Sequence, residues 1–198
     1  MGLDMYLMAE QRVEKGTPKH EAITQMLGEK HHEDLADHDM GHSTYVSGWD
    51  FGEGSMRPDG AYGFLVKLTG MQPDPQSPHF YVDLDGEDYL VRAGAAYWRK
   101  ANAIHEWFVA NVQDGVDECQ LSDPIHGEVL AGLVETCKEV LETPVLAAKL
   151  LPTQSGFFFG SVDYDEWYIH DLEETVRRLT EIFETYPKPL VLRYQSSW

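Results

Sequence analysis

Gly2-Leu3-Asp4-Met5-Tyr6-Leu7-Met8 puts Leu3, Met5 and Leu7 on one side of an extended backbone and Asp4, Tyr6 and Met8 on the other. Hydrophobicity with a period of two marks a half-buried strand. The pattern returns at the far end. Pro187 and Pro189 stop a helix, then Leu190, Leu192 and Tyr194 alternate with Val191 and Arg193. A strand at each terminus, with helices between, predicts that the termini meet in one sheet. The expected fold is α+β: a small, mostly antiparallel sheet that includes both terminal strands, packed by about three main helices.

Working inward, Thr17-Pro18 supplies an N-cap and a first-turn proline, and Gly28 closes a short helix carrying Ala22, Ile23, Met26 and Leu27. Tyr62–Leu68, His79–Leu84 and Tyr89–Arg92 read as short strands, the last two joined by an Asp85-Gly86 hairpin turn. The Pro-rich run from Gln72 to Pro78 is a connector. Three helices are predicted in the second half. The first carries Tyr97, Ala101, Ile104, Phe108 and Val112. The second runs from about Pro124 to Glu142. The third, from about Asp165 to Tyr186, has Trp167, Leu172, Val176, Leu179 and Phe183 on its apolar stripe. The length of 198 residues fits a single domain over residues 1–198. Within it, residues from about 14 to 60 hold a loop or insertion rich in His, Asp and Gly, most plainly between His31 and Gly60.

Fifteen Lys and Arg stand against 34 Asp and Glu, a net charge of −19. Such a chain repels phosphate backbones and anionic bilayers, so direct nucleic-acid binding and membrane binding are not expected. Cationic partners, metal ions and basic protein grooves suit it, and solubility alone also explains the charge. Two cysteines, Cys119 and Cys137, build no disulfide framework. The opening lacks a signal-peptide pattern and no stretch approaches 18 apolar residues, which together predict a cytoplasmic protein.

Three blocks stand out when taken together: Gly2-Leu3-Asp4-Met5-Tyr6-Leu7; Tyr97-Trp98-Arg99-Lys100-Ala101-Asn102-Ala103-Ile104-His105 followed by Trp107-Phe108-Val109; and Leu150-Leu151-Pro152-Thr153-Gln154-Ser155-Gly156-Phe157-Phe158-Phe159-Gly160. The combination resembles a family of uncharacterised bacteriophage and prophage proteins. That resemblance implies a phage-linked origin, hence the cytosol of a host cell, and no particular chemistry. It also implies that residues from about 14 to 44 are an insertion, because family members pass from the first strand to a segment like Tyr45–Phe51.

Several constellations carry chemistry. His31, His32, His38 and His42 are interspersed with Asp34, Asp37 and Asp39, and His38 and His42 stand four apart, a spacing used for Zn or another divalent ion. No Glu follows the first His as in zinc proteases, Gly41 weakens a helix there, and a solvated polar loop is the plainer account. Around the central block, Trp98, Arg99, Asn102, His105 and Trp107 fall near one another if the segment is helical. Arg and Asn suit a phosphate or carboxylate, Trp suits a ring, and His105 suits proton transfer. A buried helix tied together by its polar groups explains the same residues. Gln154–Gly160, followed by Asp163, Asp165 and Glu166, reads as a tight buried strand or turn, with Ser161 or Asp163 capping the last helix. Asp83–Asp88 fails the calcium-loop template and fits a hairpin tip. Ser155, Ser161 and Cys119 lack the setting of a nucleophile.

Two functions remain open. The first is a non-enzymatic phage-type binding protein, in the manner of a counter-defence factor. It would engage a host protein through its acidic surface, or a small anionic ligand near Arg99, Asn102, His105 and the tryptophans. The second is a metal-dependent hydrolase built on the His31–His42 cluster.

Overall fold

The computed structural model describes residues 2–28, 43–48 and 60–198. Both terminal strands form and lie side by side. The sheet runs β2-β3-β4-β1-β5, with β1 at Asp4–Val13, β2 at Thr44–Ser47, β3 at His79–Asp85, β4 at Asp88–Arg99 and β5 at Val191–Ser197. It is antiparallel, as the alternation at the two ends predicts, and the class is α+β. Leu3, Met5 and Leu7 are fully buried on one face of the opening strand. The Asp85-Gly86 turn joins β3 to β4, with Asp85 opposite Asp88 and Gly86 at φ 64. That angle favours glycine because it has no Cβ.

Six α-helices are found among the described residues rather than three: α1 (Pro18–Leu27), α2 (Ala61–Thr69), α3 (Asn102–Val112), α4 (Gly127–Glu142), α5 (Ala147–Leu150) and α6 (Glu166–Thr185). In α1 the Thr17 hydroxyl accepts the His20 amide and Gly28 ends the helix, as read from sequence. The expected strand at 62–68 is instead α2. Tyr62, Phe64, Val66 and Leu68 mimic a period of two, but Ala61, Leu65 and Thr69, four apart, are the residues that bury. Gly60 and Gly70, both at positive φ, bound the helix. Part of the expected loop is β2, whose Val46 pairs with Phe80.

The helix expected from Tyr97 begins only at Asn102, because β4 runs on to Arg99. Ala93, Ala95, Ala96 and Trp98 are buried in this extension. Alanine has weak strand preference, so pairing and burial decide the outcome against local propensity. At Arg99 the chain leaves the strand through Lys100, at φ 62, whose amide donates to Leu3 O at 2.8 Å. Asn102 N then donates to Lys100 O at 2.9 Å and α3 begins.

The residues group into two compact units. One comprises Met1–Met8, Ala96–Tyr186 and Val191–Trp198. There α4 packs against α6, and Ile104, Phe108, Leu130, Leu133, Leu179 and Tyr194 are buried. The stripe of α6 is Tyr168, Leu172, Thr175, Leu179 and Ile182. Trp167, expected on that stripe, lies one residue off it and is 69% exposed. Asp165, not Ser161 or Asp163, caps α6, its Oδ1 accepting the amides of Trp167 and Tyr168. The Phe157–Phe159 run is not uniformly buried: Phe159 is, while Phe157 is 95% exposed at the tip of a turn.

The other unit comprises Ala9–Ala95 and Pro187–Leu190. Its core holds Val13, Ile23, Leu65, Phe80, Val82 and Val91. Gly94 on β4 permits a close approach, for a Cβ there would sit 2.8 Å from His79 Cε1 and 2.9 Å from Ser77 O. Asp74 N donates to Gly94 O at 2.7 Å and Ser77 N to Asp74 O at 2.9 Å, so Ser77 O has little freedom to retreat. Gly94→Ala is therefore expected to cost about 2 kcal/mol by overpacking. Urea unfolding monitored by circular dichroism would show it, and a change within the error of the midpoint would refute the close contact.

Candidate functional site

The turn that takes β4 into α3 forms one wall of a cleft of about 310 Å³ in the first unit. That volume is at the small end of the range for ligand pockets. Arg99, Lys100, Asn102 and Ile104 line this wall. The loop before α6 contributes Thr153, Gly160 and Ser161, and α6 itself contributes Trp167, Tyr168 and Asp171.

Asn102 builds the join between wall and loop. Its Nδ2 donates to Phe159 O at 3.0 Å and to Ser161 O at 2.7 Å, and its Oδ1 accepts the Gln154 amide at 2.9 Å. The side chain is buried and fully committed to backbone. It positions the cleft rather than offering a free group to a ligand. Among the described residues no side chain caps the start of α3, so the first-turn amides, near Ala103 and Ile104, keep their partial positive charge beside the cleft.

Arg99 and Lys100 are exposed, and among the described residues neither forms an ion pair. Some other cations are engaged: Arg92 Nε lies 2.9 Å from Glu10, Arg12 pairs with Asp88 at 2.8 Å, and Arg177 pairs with Glu174 at 2.7 Å. Lys19, Lys67, Lys149 and Lys188 likewise form no ion pair among the described residues, so what sets Arg99 and Lys100 apart is that they stand side by side on a cleft.

The α6 wall has the opposite character. Asp171 is half-buried beside Leu172 and Tyr168, and burial pushes its carboxyl up to about 7, with His170 opposing and the charge of Asp165 adding to the rise. The Tyr168 phenol donates to Leu151 O at 2.9 Å, and burial raises its pKa as well. Behind this wall, Trp98 Nε1 donates to Thr175 Oγ1 at 2.9 Å, and Thr175 Oγ1 donates to Asp171 O at 2.6 Å. This chain of bonds fixes the turn of α6 that carries Asp171.

The chain matches no family model, no curated protein and no solved structure at a significant level. Its chemistry therefore rests on the geometry alone.

Of the five ligand candidates around the central block, the structure brings Arg99 and Asn102 to the cleft and places Trp98, His105 and Trp107 elsewhere. Trp98 is buried in the packing just described. His105 is fully buried, with Nδ1 2.7 Å from the Tyr194 hydroxyl and its ring edge-to-face with Phe159. Its Nε2 lies 3.2 Å from Asp117 Oδ2, close enough for an ion pair but without hydrogen-bond alignment. Trp107 is half-buried and packs edge-to-face on Phe108. His31, His32, His38 and His42, with Asp34, Asp37 and Asp39, lie outside the described residues, as does Trp49. Among the described residues no group of three or more His, Cys, Asp or Glu is placed to hold a metal ion. None of the described helices is long and apolar enough to cross a membrane.

Sequence reasoning missed Lys100, Trp167 and Asp171. A signal for Asp171 was present: it falls between Tyr168 and Thr175 at helical spacing, an acid on the buried edge of an apolar stripe. Lys100 carried no such signal, because its role depends on where β4 ends.

Proposed function

We propose that this protein binds a small anionic ligand in the cleft between the start of α3 and α6. The observation that carries the reading is the pair Arg99 and Lys100, uncommitted to any described carboxylate and lining a cavity of ligand size in a chain of net charge −19. An incoming anion supplies the partner that no described carboxylate gives either cation. The uncapped start of α3 adds backbone donors and the favourable end of its dipole. Lys100 is held at φ 62, a conformation that L side chains seldom adopt, and such residues gather at functional sites. Of the two partners the sequence leaves open, a host protein and a small anion, the cleft supports the anion.

The test is isothermal titration with inorganic phosphate and with caproate, on the full chain and on Arg99→Ala/Lys100→Ala. Charge-assisted hydrogen bonds are worth about 1.5–3 kcal/mol each. Both side chains are exposed and solvent screens each contribution, so the double variant is expected to bind at least one of these anions about ten- to a hundredfold more weakly. The wild-type affinity should also fall with added sodium chloride. Equal binding by the two proteins, or no binding by the wild type, overturns the reading.

A further inference from the structure

The two walls of the cleft differ in sign, and the difference constrains the ligand beyond its anionic group. On the α6 side three carboxylates approach the cleft: Asp163, Asp165 and Asp171. Two of them already have structural work. Asp165 Oδ1 caps α6 through the amides of Trp167 and Tyr168, and Asp163 Oδ2 accepts the Ser161 hydroxyl at 3.1 Å. Asp171 has no such engagement: among the described residues its carboxyl takes part in no hydrogen bond and no ion pair within 4.0 Å, although it is half-buried. Arg99 and Lys100 line the same cavity, yet among the described residues neither forms an ion pair with it. Next to Asp171 stand two aromatic residues, Tyr168 and the largely exposed Trp167.

We propose that this wall receives a protonated amine, so that the ligand is a small zwitterion, with its anionic group at Arg99 and Lys100 and its amine at Asp171 beside Trp167. The inference rests on the anion-binding reading above and deepens it. A half-buried carboxyl lining one cavity with two aromatic side chains is the ordinary composition of an ammonium site, because a carboxylate supplies charge and aromatic rings attract cations. A divalent cation is a poorer occupant, since the described His, Cys, Asp and Glu side chains offer no three-ligand group. A purely apolar tail would leave Asp171 without a partner in a drier site than before, which is costly. A second anionic group would face Asp163 and Asp165 as well as Asp171.

The experiment is isothermal titration of the full chain with matched pairs: butyrate and γ-aminobutyrate, then caproate and aminocaproate, with adipate as the doubly anionic control. Two lengths are used so that the amine can span the cleft in at least one of them. In the wild type, at least one amino acid is expected to bind about tenfold more tightly than its parent acid. In Asp171→Asn that ratio should collapse to about one. Asn keeps the size of the side chain, and its thermal melt reports whether the variant is folded. A ratio near one in the wild type for both pairs, a ratio that persists in Asp171→Asn, or adipate binding as tightly as aminocaproate overturns the proposal. If neither the simple acids nor inorganic phosphate binds, or if they bind equally to Arg99→Ala/Lys100→Ala, the underlying anion site has failed instead. The two failures are thereby separated.

Discussion

Asn102→Ala is expected to lower the stability of the chain by about 3 kcal/mol and to release the loop from Gln154 to Ser161. Three hydrogen bonds end on this one buried side chain, two donated to the carbonyls of Phe159 and Ser161 and one accepted from the amide of Gln154. Each is worth only about 1 kcal/mol net against water, but truncation also strands the buried Phe159 carbonyl and leaves the part-buried groups of Gln154 and Ser161 without their partner. Asn102→Asp should fare no better. It keeps the acceptor for Gln154 but sets a carboxylate oxygen against two carbonyls, where the amide had been a donor. Urea denaturation gives the stability change, and limited proteolysis reads the loop directly, because a released segment is cut there first. A loss below about 1 kcal/mol with an unchanged cleavage pattern would show that the loop is held by other contacts, such as Leu3 N to Phe158 O. Ligand affinity should fall in parallel, since Thr153, Gly160 and Ser161 reach the cleft only while the loop is pinned.

The parts of the structure legible in the sequence are those whose pattern is local. Leu3, Met5 and Leu7 announced a strand, and Leu192 and Tyr194 announced its neighbour, because period two needs no knowledge of the partner. Thr17 and Gly28 bounded α1 by the same local logic. The failures share a different cause. Residues 93–99 contain Ala-Gly-Ala-Ala, which has little preference of its own, so the sheet decides their state and the sequence cannot. That one shift moved Arg99 from a helix face, where it would neighbour Asn102 by spacing, to a strand end. It still arrives at the same cleft, but by way of the turn at Lys100. His105 shows the reverse: its place on α3 was read correctly, yet Phe159 and Tyr194, distant in sequence, close over it. Asn102 was singled out as a ligand contact, and its three bonds to the 154–161 loop make it a positioning residue, a distinction only tertiary contacts can draw.

Asp171→Asn is expected to stabilise the protein, and to do so more at pH 8 than at pH 5. Burial lifts the carboxyl from an ordinary value of 3.8 to about 7 in the folded chain. Of the charges that act on it, His170 on its own helix opposes the rise and Asp165 adds to it. Between these two pKa values the folded state holds a proton that the unfolded state has released. Stability therefore falls as pH rises through that window and levels off above it. At pH 8 the folded wild type carries an ionised carboxylate in a half-buried site. Asn removes that charge while keeping the shape. The full shift would correspond to about 4 kcal/mol at 1.36 kcal/mol per unit. Local relaxation and water at the cleft mouth reduce it, and a gain on the order of 2 kcal/mol at pH 8 is expected. For a chain of this length that is roughly 5 °C in melting temperature. At pH 5 the gain should be smaller, because the wild-type carboxyl is then protonated when folded. Guanidinium unfolding at the two pH values measures both numbers. An equal gain at both would mean that Asp171 does not titrate in this range, and a loss at pH 8 would mean that its carboxylate is held by a partner in the folded protein. The expected result has a functional corollary. A carboxylate that costs stability at neutral pH is better accommodated once a cation reaches it, so binding of a zwitterion should be accompanied by release of a proton from Asp171. Repeating the aminocaproate titration in buffers of different ionisation enthalpy would register that proton, and would register none for Asp171→Asn.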